Sequence, residues 1–375
     1  MEELFSTIRN IAQKWDPDLS VNDIQPLTQD ASLRRYFRLT LSALPSFQKI
    51  TFPKTIVAMK FDSVACPESI GGEVIDSDVA YVELSHVFQA SGVSVPHLLF
   101  DAREVGLLFI EDLGDTQLFS LINARKEERA TIDRAIRLLD EALQQIILIQ
   151  SISNKAGTVG EGCLAFKRYF AAPLYIKEME EFLEYFLGSR GLKERFTDSL
   201  PKTFSKLARE LDECPRVLVH RDFHAWNLLV DAQDSLRVID FQDALLGTRA
   251  YDLVSLINDR DMDGILGREL YLAVVRKFAK MVSSLTDESE FDFFKLYDRA
   301  LLQRDLKVAG RFAKLVALRG LDHYGTWIPG TVKRIGRTLE RLAQEDPDYL
   351  SIYSELQVAI PEISEGAKIP LRWFE

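Results

Sequence analysis

The chain has 375 residues, of which 47% are hydrophobic and 27% charged, and its formal net charge is −11. The length exceeds that of one compact core of ordinary size, so we expect two lobes. The composition is that of a soluble globular protein rather than a disordered chain. The acidic balance and the lack of a Lys/Arg run argue against general binding to nucleic acid or to an anionic membrane.

Further features predict a reduced, cytoplasmic protein without a membrane segment. Cys66, Cys163 and Cys214 are far apart and form no C-x-x-C pair, which argues against a zinc site or a disulfide framework. The first residues lack a basic segment followed by an apolar one, so no signal peptide is expected. The apolar run 142–149 is too short to cross a bilayer and is interrupted by two glutamines. No protein partner is predicted.

The first 113 residues are predicted to form a small, mostly β lobe. Strands are predicted at 24–27, 36–39, 55–59 and 107–110, and a helix at 76–90. The first two strands are expected to form a hairpin. The pattern breaks at 111–114, where we place a hinge between the lobes.

Residues 114–375 are predicted to form a larger, mainly helical lobe. Apolar residues recur at helical spacing from Ala135 to Ile146 and from Met179 to Phe186, and both stripes are expected to face a core. The acidic residues at 178–184 are predicted to form a solvated helix face, with one of them touching a polar substrate as the alternative. These residues are Glu178, Glu180, Glu181 and Glu184.

The main chemical motif is His220-Arg221-Asp222, then Asn227 after four residues, then an apolar run that ends in Asp240-Phe241. This is the spacing that kinases use. Phosphoryl transfer needs a carboxylate beside the acceptor hydroxyl and oxygen ligands for Mg²⁺ on the phosphate side. We expect 228–230 and 236–239 to form a hairpin that brings Asn227 and Asp240 together as metal ligands, with Asp222 as the catalytic base. His220 is predicted to be a hydrogen-bonded structural residue.

A second motif, at residues 57–60, matches the V-A-I-K strand of kinases. Ala58 and Lys60 share one side of a strand, so Lys60 is predicted to reach the phosphates of ATP. Glu83, on the following helix, is the predicted ion-pair partner of Lys60, with Glu73 as the competing candidate. The alternative for Lys60 is a solvent-facing lysine at the end of a strand.

The loop 28–34 lies where a kinase has its glycine-rich phosphate loop, yet it contains no glycine. Ser32 and Arg34 are predicted to contact phosphate, and Arg35 is an alternative source of charge. The segment equally fits a plain hairpin turn, and that interpretation stays open.

The hinge is expected to bind adenine through backbone groups of Glu111 and Leu113. A small β-rich lobe, a hinge and a larger helical lobe form an α+β, bilobal, protein-kinase-like fold, in which ATP lies between the lobes.

These motifs give the chain a resemblance to the aminoglycoside phosphotransferase and choline kinase superfamily. Within it, the chain is most similar to bacterial kinases that phosphorylate the anomeric hydroxyl of N-acetylmuramate and N-acetylglucosamine in peptidoglycan recycling. The matching segments are DASLRRYFR (30–38), HRDFH (220–224), NL (227–228), IDFQDA (239–244), YDLVSL (251–256) and QRDLKVAGRFAKL (303–315).

The resemblance implies a fold, cofactors and residue roles. It implies ATP and Mg²⁺ as cofactors, Asp222 as base, Asn227 and Asp240 as metal ligands, and Asp252 as an acid that braces the catalytic loop. It also implies a small-molecule acceptor, expected to be an amino sugar. Two departures are Lys60, where the sugar kinases often carry Asp, and the segment 168–188, which fits their pattern poorly.

Other functions share these motifs. The same chemistry suits another small alcohol, such as choline, homoserine or an aminoglycoside, and the acidic net charge is compatible with a pocket for a cation. A protein kinase is disfavoured because Gln242 replaces the glycine of D-F-G and no A-P-E follows. A non-catalytic pseudokinase is disfavoured because Asp222, Asn227 and Asp240 are all present.

Overall fold

The structure is a computed structural model. It describes residues 2–17, 19–27, 34–43, 54–61, 71–72, 77–124, 129–153, 163–368 and 373.

The N-terminal lobe is built on an antiparallel five-stranded sheet in the order β1-β2-β3-β6-β5. Its strands are β1 (Leu19–Pro26), β2 (Arg35–Ala43), β3 (Thr55–Lys60), β5 (Leu98–Ala102) and β6 (Leu107–Glu111); β4 (Gly71–Gly72) belongs to another sheet. The helix α1 (Glu2–Trp15) packs on one face of this sheet, and α2 (Ser77–Ala90) packs on the other.

Side-chain alternation along β3 separates the two faces. Ile56 and Ala58 are buried in the cluster that contains α1. Val57 and Met59 are buried in the cluster that contains α2 and the core of the large lobe. Since successive side chains of a strand point to opposite faces, this register decides which residues can reach the space between the lobes.

The larger lobe is mainly helical. Its helices are α3 (Leu118–Asn123), α4 (Arg129–Ile152), α5 (Ala172–Glu181), α6 (Ser199–Asp212), α7 (Tyr251–Asn258), α8 (Met262–Leu266), α9 (Arg268–Leu285), α10 (Glu290–Arg319), α11 (Ile328–Glu345), α12 (Pro347–Ala359) and α13 (Pro361–Ala367). The long helix α10 begins where the Ser289 hydroxyl accepts a hydrogen bond from Asp292 N, and it ends at Gly320 with φ of 64°. A serine cap and a left-handed glycine are the usual signals for these two ends.

Two small sheets carry the motif residues. The hairpin of β9 (Leu228–Val230) and β10 (Leu236–Val238) pairs Val238 with Leu228. A second sheet has the order β4-β7-β11-β8, with β7 (Arg168–Tyr169), β8 (Arg216–Val219) and β11 (Leu245–Thr248). The loop 220–227, named the catalytic loop after the kinase motif that it matches, runs from the end of β8 to the start of β9.

Every element predicted in the first lobe is present, including the hairpin of the first two strands. The α+β, kinase-like fold class is therefore confirmed. The apolar stripe from Met179 to Phe186 is buried as predicted, although the α-helix ends at Glu181 and continues as a π-helical turn, Phe182–Leu187.

Candidate active site

Asp222 lies in a catalytic loop that a buried carboxylate holds from below. Asp252, fully buried on α7, accepts hydrogen bonds from His220 N at 2.7 Å and from Arg221 N at 3.0 Å. Arg221 has a φ of 79°, a left-handed conformation that costs a non-glycine residue about 1 kcal/mol or more. The two hydrogen bonds stabilise this turn. His220 Nε2 contacts Ile239 O at 3.0 Å, which agrees with the structural role predicted for His220.

The hairpin brings Asn227 and Asp240 to the same end of β9 and β10. Ile239 N donates to Asn227 O at 3.0 Å, so Asp240 follows directly after the residue that is bonded to Asn227. Asn227 Nδ2 donates to Asp222 O at 3.0 Å, which fixes the orientation of the amide next to the catalytic loop. Asp240 has a φ of 65°, and its Oδ1 accepts from Gln242 Nε2 at 2.8 Å. The structure thus brings together Asp222, Asn227 and Asp240, as the motif spacing predicts.

Four basic residues surround Asp222. Burial by itself raises the pKa of this carboxyl, but Lys307, Arg221, His224 and Arg304 together outweigh it and hold the pKa well below its usual range. The sequence alone did not place the contacts of Lys307 and Arg304. Both lie on α10, which passes beneath the catalytic loop, and three-residue spacing puts them on one side of that helix. Asp222 is therefore ionised across the ordinary pH range.

Beside Asp222 is an open cavity of about 510 Å³ that the sequence did not reveal. It is lined by Glu178, Arg221, Asp222, His224, Asp259, Arg260, Arg304, Lys307, Val308, Arg311, Phe312, Lys314, Leu315, Leu318, Arg319 and Tyr324. Seven of these side chains are cationic and three are carboxylates. The cavity is therefore basic within a protein of net charge −11.

Glu178 was predicted to lie on a solvated helix face, but it is buried under this cavity. Its carboxylate contacts Lys307 Nζ at 2.9 Å, Gln303 Nε2 at 3.1 Å and Arg221 at 3.6 Å. Burial alone raises the pKa of Glu178, but Lys307 and Arg221 lower it overall. The prediction failed because α5 directs Glu178 toward α10. The sequence around Glu178 gives no sign of this long-range contact. Glu180 and Glu184 are exposed as predicted.

The predicted ion pair between Lys60 and Glu83 is not formed. Lys60 follows Ala58 on the α1 side of β3, and its Nζ donates to Val105 O at 2.9 Å. Glu83 instead accepts a hydrogen bond from Leu164 N at 2.9 Å. The V-A-I-K match had the right strand but the wrong face. The competing partner, Glu73, lies outside the described residues.

Arg34, which was predicted to contact phosphate, forms ion pairs with two carboxylates that follow the β9–β10 hairpin. Its Nη1 is 2.7 Å from Asp240 Oδ1, and its Nη2 is 3.1 Å from Asp243 Oδ2. Ser32 and most of the glycine-free loop lie outside the described residues. A phosphate contact for either residue stays a prediction.

Glu111 is the last residue of β6, and Leu113 lies between β6 and α3. The Glu111 carboxylate contacts Arg237 at 2.6 Å, and Glu111 N donates to His97 O at 2.9 Å, so this amide is already used within the lobe. Glu111 and Leu113 line a crevice of about 470 Å³ that shares no residue with the cavity at Asp222. Their contact with adenine stays a prediction.

An aromatic contact that was not predicted connects α2 to the segment that carries Asp240. Phe241 is fully buried, and its ring lies 4.7 Å from that of Tyr81 and 5.4 Å from that of Phe88. This packing connects α2 directly to the residue that follows Asp240.

In the described part of the chain, no helix combines the length and apolar character needed to cross a lipid bilayer.

Comparison with solved structures supports this fold. ADP-bound aminoglycoside phosphotransferase APH(2'')-Ib is 12% identical, with a TM-score of 0.52, over 88% of this chain and 98% of that one. A choline/ethanolamine kinase family protein from Mesorhizobium loti is 12% identical, with a TM-score of 0.50, over 93% of each chain. At this identity the likeness concerns the fold alone.

Sequence comparison finds relatives over most of the chain. The N-acetylmuramate/N-acetylglucosamine kinase of Neisseria meningitidis is 28% identical over 87% of this chain and 89% of the relative. The protein of the same name from Pseudomonas aeruginosa is 27% identical over 95% and 94%. The family model for the phosphotransferase enzyme family, APH, matches residues 23–281, which include Asp222, Asn227 and Asp240. The chain belongs to the APH phosphotransferase enzyme family.

Proposed function

We propose that this protein is an ATP-dependent kinase that transfers a phosphoryl group to the anomeric hydroxyl of N-acetylmuramate or N-acetylglucosamine. Its membership of the phosphotransferase family supports the reaction, and the activity for which its relatives are named supports the acceptor. We place this reaction in the cytoplasm, in the reuse of cell-wall sugars. The observation that carries the choice of acceptor is the charge of the cavity beside Asp222.

The cavity favours an anionic acceptor over a cationic one. Its cations are Arg221, Arg260, Arg304, Lys307, Arg311, Lys314 and Arg319. N-acetylmuramate carries a carboxylate, whereas choline and aminoglycosides carry positive charge that these side chains repel. The acidic net charge of the whole chain therefore misleads about the acceptor, because the local charge at the site has the opposite sign.

The electrostatics of Asp222 suit an acceptor whose hydroxyl is already acidic. A carboxylate with a lowered pKa is a weak base, so its main contribution is to accept a hydrogen bond from the hydroxyl and orient it. The anomeric hydroxyl is the most acidic one on the sugar ring. In a loose phosphoryl-transfer transition state the proton leaves late, so a weak base is sufficient. Lys307 and Arg304 keep Asp222 charged for this role.

Asn227 and Asp240 fit the donor set that Mg²⁺ prefers, namely hard oxygen atoms from an amide and a carboxylate. We propose that these two residues hold the metal ion that accompanies ATP. When bound, Mg²⁺ neutralises charge on the phosphate oxygens. The tethering of the Asn227 amide to Asp222 O keeps the acceptor side and the metal side of the site in fixed register.

The test uses purified protein, Mg²⁺-ATP and a panel of acceptors. N-acetylmuramate and N-acetylglucosamine should both be phosphorylated, the former with the lower KM, and the product should be a sugar 1-phosphate by ³¹P NMR. Methyl glycosides of the same sugars are matched controls, because only the anomeric oxygen is blocked. Phosphorylation of a glycoside would show that another hydroxyl reacts. Turnover of choline or an aminoglycoside, but of neither sugar, would overturn the proposed acceptor.

A further inference from the structure

In kinases, the strand that corresponds to β3 carries a lysine that binds phosphate. In this protein, the face of β3 that is directed toward the cleft carries no cation. The cleft-facing residues in the second half of β3 are Val57 and Met59, and both are buried in the core shared with α2. Lys60 faces α1 and donates to Val105 O. A phosphoryl transfer site still needs a cation beside the transferred group.

Arg34 is a cation at the correct end of the sheet. It directly precedes β2, and its neighbour Arg35 pairs with Lys60 across the strands, so Arg34 lies just beyond the end of β3. Its guanidinium contacts Asp240 Oδ1 at 2.7 Å and Asp243 Oδ2 at 3.1 Å, and its side chain is only 16% exposed. The fork geometry of guanidinium matches carboxylates and phosphates equally well.

A metal ion at Asp240 would compete with Arg34 for the same carboxylate oxygen. A metal ion binds a carboxylate oxygen at about 2.0–2.1 Å, and Arg34 already contacts Asp240 Oδ1 at 2.7 Å. Gln242 Nε2 also donates to this oxygen at 2.8 Å. A second cation at Asp240 is repelled by Arg34 unless an anion arrives with it. The phosphates of a nucleotide are such an anion.

We infer that Arg34 replaces the strand lysine and exchanges partners during binding. This inference rests on the proposed function. Without nucleotide, Arg34 neutralises Asp240 and Asp243; with nucleotide, it transfers at least one of its hydrogen bonds to the phosphates and leaves Asp240 to the metal. Arg34 thus disfavours metal binding to the free protein and favours binding of the metal together with nucleotide.

This exchange predicts effects of opposite sign for one substitution. Arg34→Met should tighten the binding of Mn²⁺ to the nucleotide-free protein on the order of fivefold, because a like charge near the site is gone. It should weaken the binding of ADP, measured in EDTA, about tenfold or more, because a charge-assisted hydrogen bond is lost. A purely structural ion pair would weaken both, and a residue without a role would change neither.

The experiment measures Mn²⁺ binding by the loss of the free-ion EPR signal and ADP binding by calorimetry, on the full chain. Arg34→Lys should recover part of the ADP affinity, because it keeps the charge without the fork. Arg103→Met is the matched control: it breaks an Arg–Asp pair in the same lobe, with Asp101 at 2.8 Å, and should change neither affinity. Circular dichroism checks that each variant is folded.

The outcomes separate this inference from the proposed function. Unchanged ADP affinity in Arg34→Met, or weaker Mn²⁺ binding, overturns the role of Arg34 even if the wild-type protein phosphorylates amino sugars. The opposite-sign pattern sustains the role of Arg34 even if neither sugar is an acceptor.

Discussion

Replacing Lys307 with methionine tests whether the buried cluster under Asp222 is both a stability element and a functional one. Lys307 Nζ lies 2.9 Å from the Glu178 carboxylate, and these side chains are 13% and 7% exposed. At an effective dielectric constant of about 20, charges at this distance attract by roughly 6 kcal/mol before desolvation is counted. Removing one partner of a buried pair costs about 3–5 kcal/mol, because the other charge stays buried. Gln303 and Arg221 still contact Glu178, so we expect a loss of about 3 kcal/mol, at the lower end of this range.

Lys314→Met is the matched control for this change. Lys314 lies on the same helix and contacts Glu181 at the same 2.9 Å, but its side chain is 33% exposed. An exposed pair of this kind contributes less than about 1 kcal/mol. The free energy of unfolding, from urea titrations, should therefore fall much more in Lys307→Met than in Lys314→Met, although the two ion pairs have equal length.

A double variant, Lys307→Met with Glu178→Gln, separates stability from catalysis. It should recover most of the lost stability, because no uncompensated charge remains buried. Turnover should stay low, because Lys307 lines the cavity beside Asp222 and the double variant lacks its ammonium group for an anionic acceptor. Equal destabilisation by Lys307→Met and Lys314→Met would refute the burial argument. Recovery of turnover in the double variant would show that Lys307 acts on stability alone.

Three more substitutions test the rest of the site. Asp222→Asn should reduce kcat by ~10²–10⁴ with little change in ATP binding, because it removes the group that orients the acceptor while the nucleotide is held elsewhere; near-normal turnover would remove Asp222 from the mechanism. Asp252→Asn should destabilise the fold more at pH 5 than at pH 8. Burial raises the pKa of Asp252 to about 6. The stability that Asp252 contributes is therefore present at low pH and is lost as the pH rises through about 6. A pH-independent cost, from unfolding titrations, would contradict that raised pKa. Lys60→Ala should leave the Kd for ATP unchanged, because its ammonium bonds Val105 O on the α1 side of the sheet; a large increase would mean that Lys60 changes face when nucleotide binds.

The arrangement of the catalytic loop was predictable because it depends on short-range contacts. Asp222, Asn227 and Asp240 are separated by one short loop and one hairpin, and strand pairing within that hairpin brings the last two residues to the same end whatever surrounds them. His220 was assigned correctly for the same reason, since its partner, Ile239, is on the adjacent strand.

The nucleotide side shows where pattern alone fails. The residues Val57 to Lys60 match a kinase strand in their letters, but which face of β3 looks into the cleft depends on the helices that pack against the sheet. Here α1 covers the face of Ala58 and Lys60, and α2 covers that of Met59. A shift of one residue exchanges the two faces of a strand, so a motif match cannot decide this point.

The sequence by itself determined the fold class through the periodicity of its elements, and the family through motifs that resemble those of known members. Short-range spacing also predicted that Asp222, Asn227 and Asp240 lie close together. Only the tertiary structure decided the sign of charge at the acceptor cavity and the burial of Glu178. It also decided the position of Arg34 on Asp240. Each of these depends on segments far apart in the chain: Glu178 meets Lys307, and Arg34 meets Asp240. Charge and burial at such sites arise from the packing of whole elements, which no local pattern records.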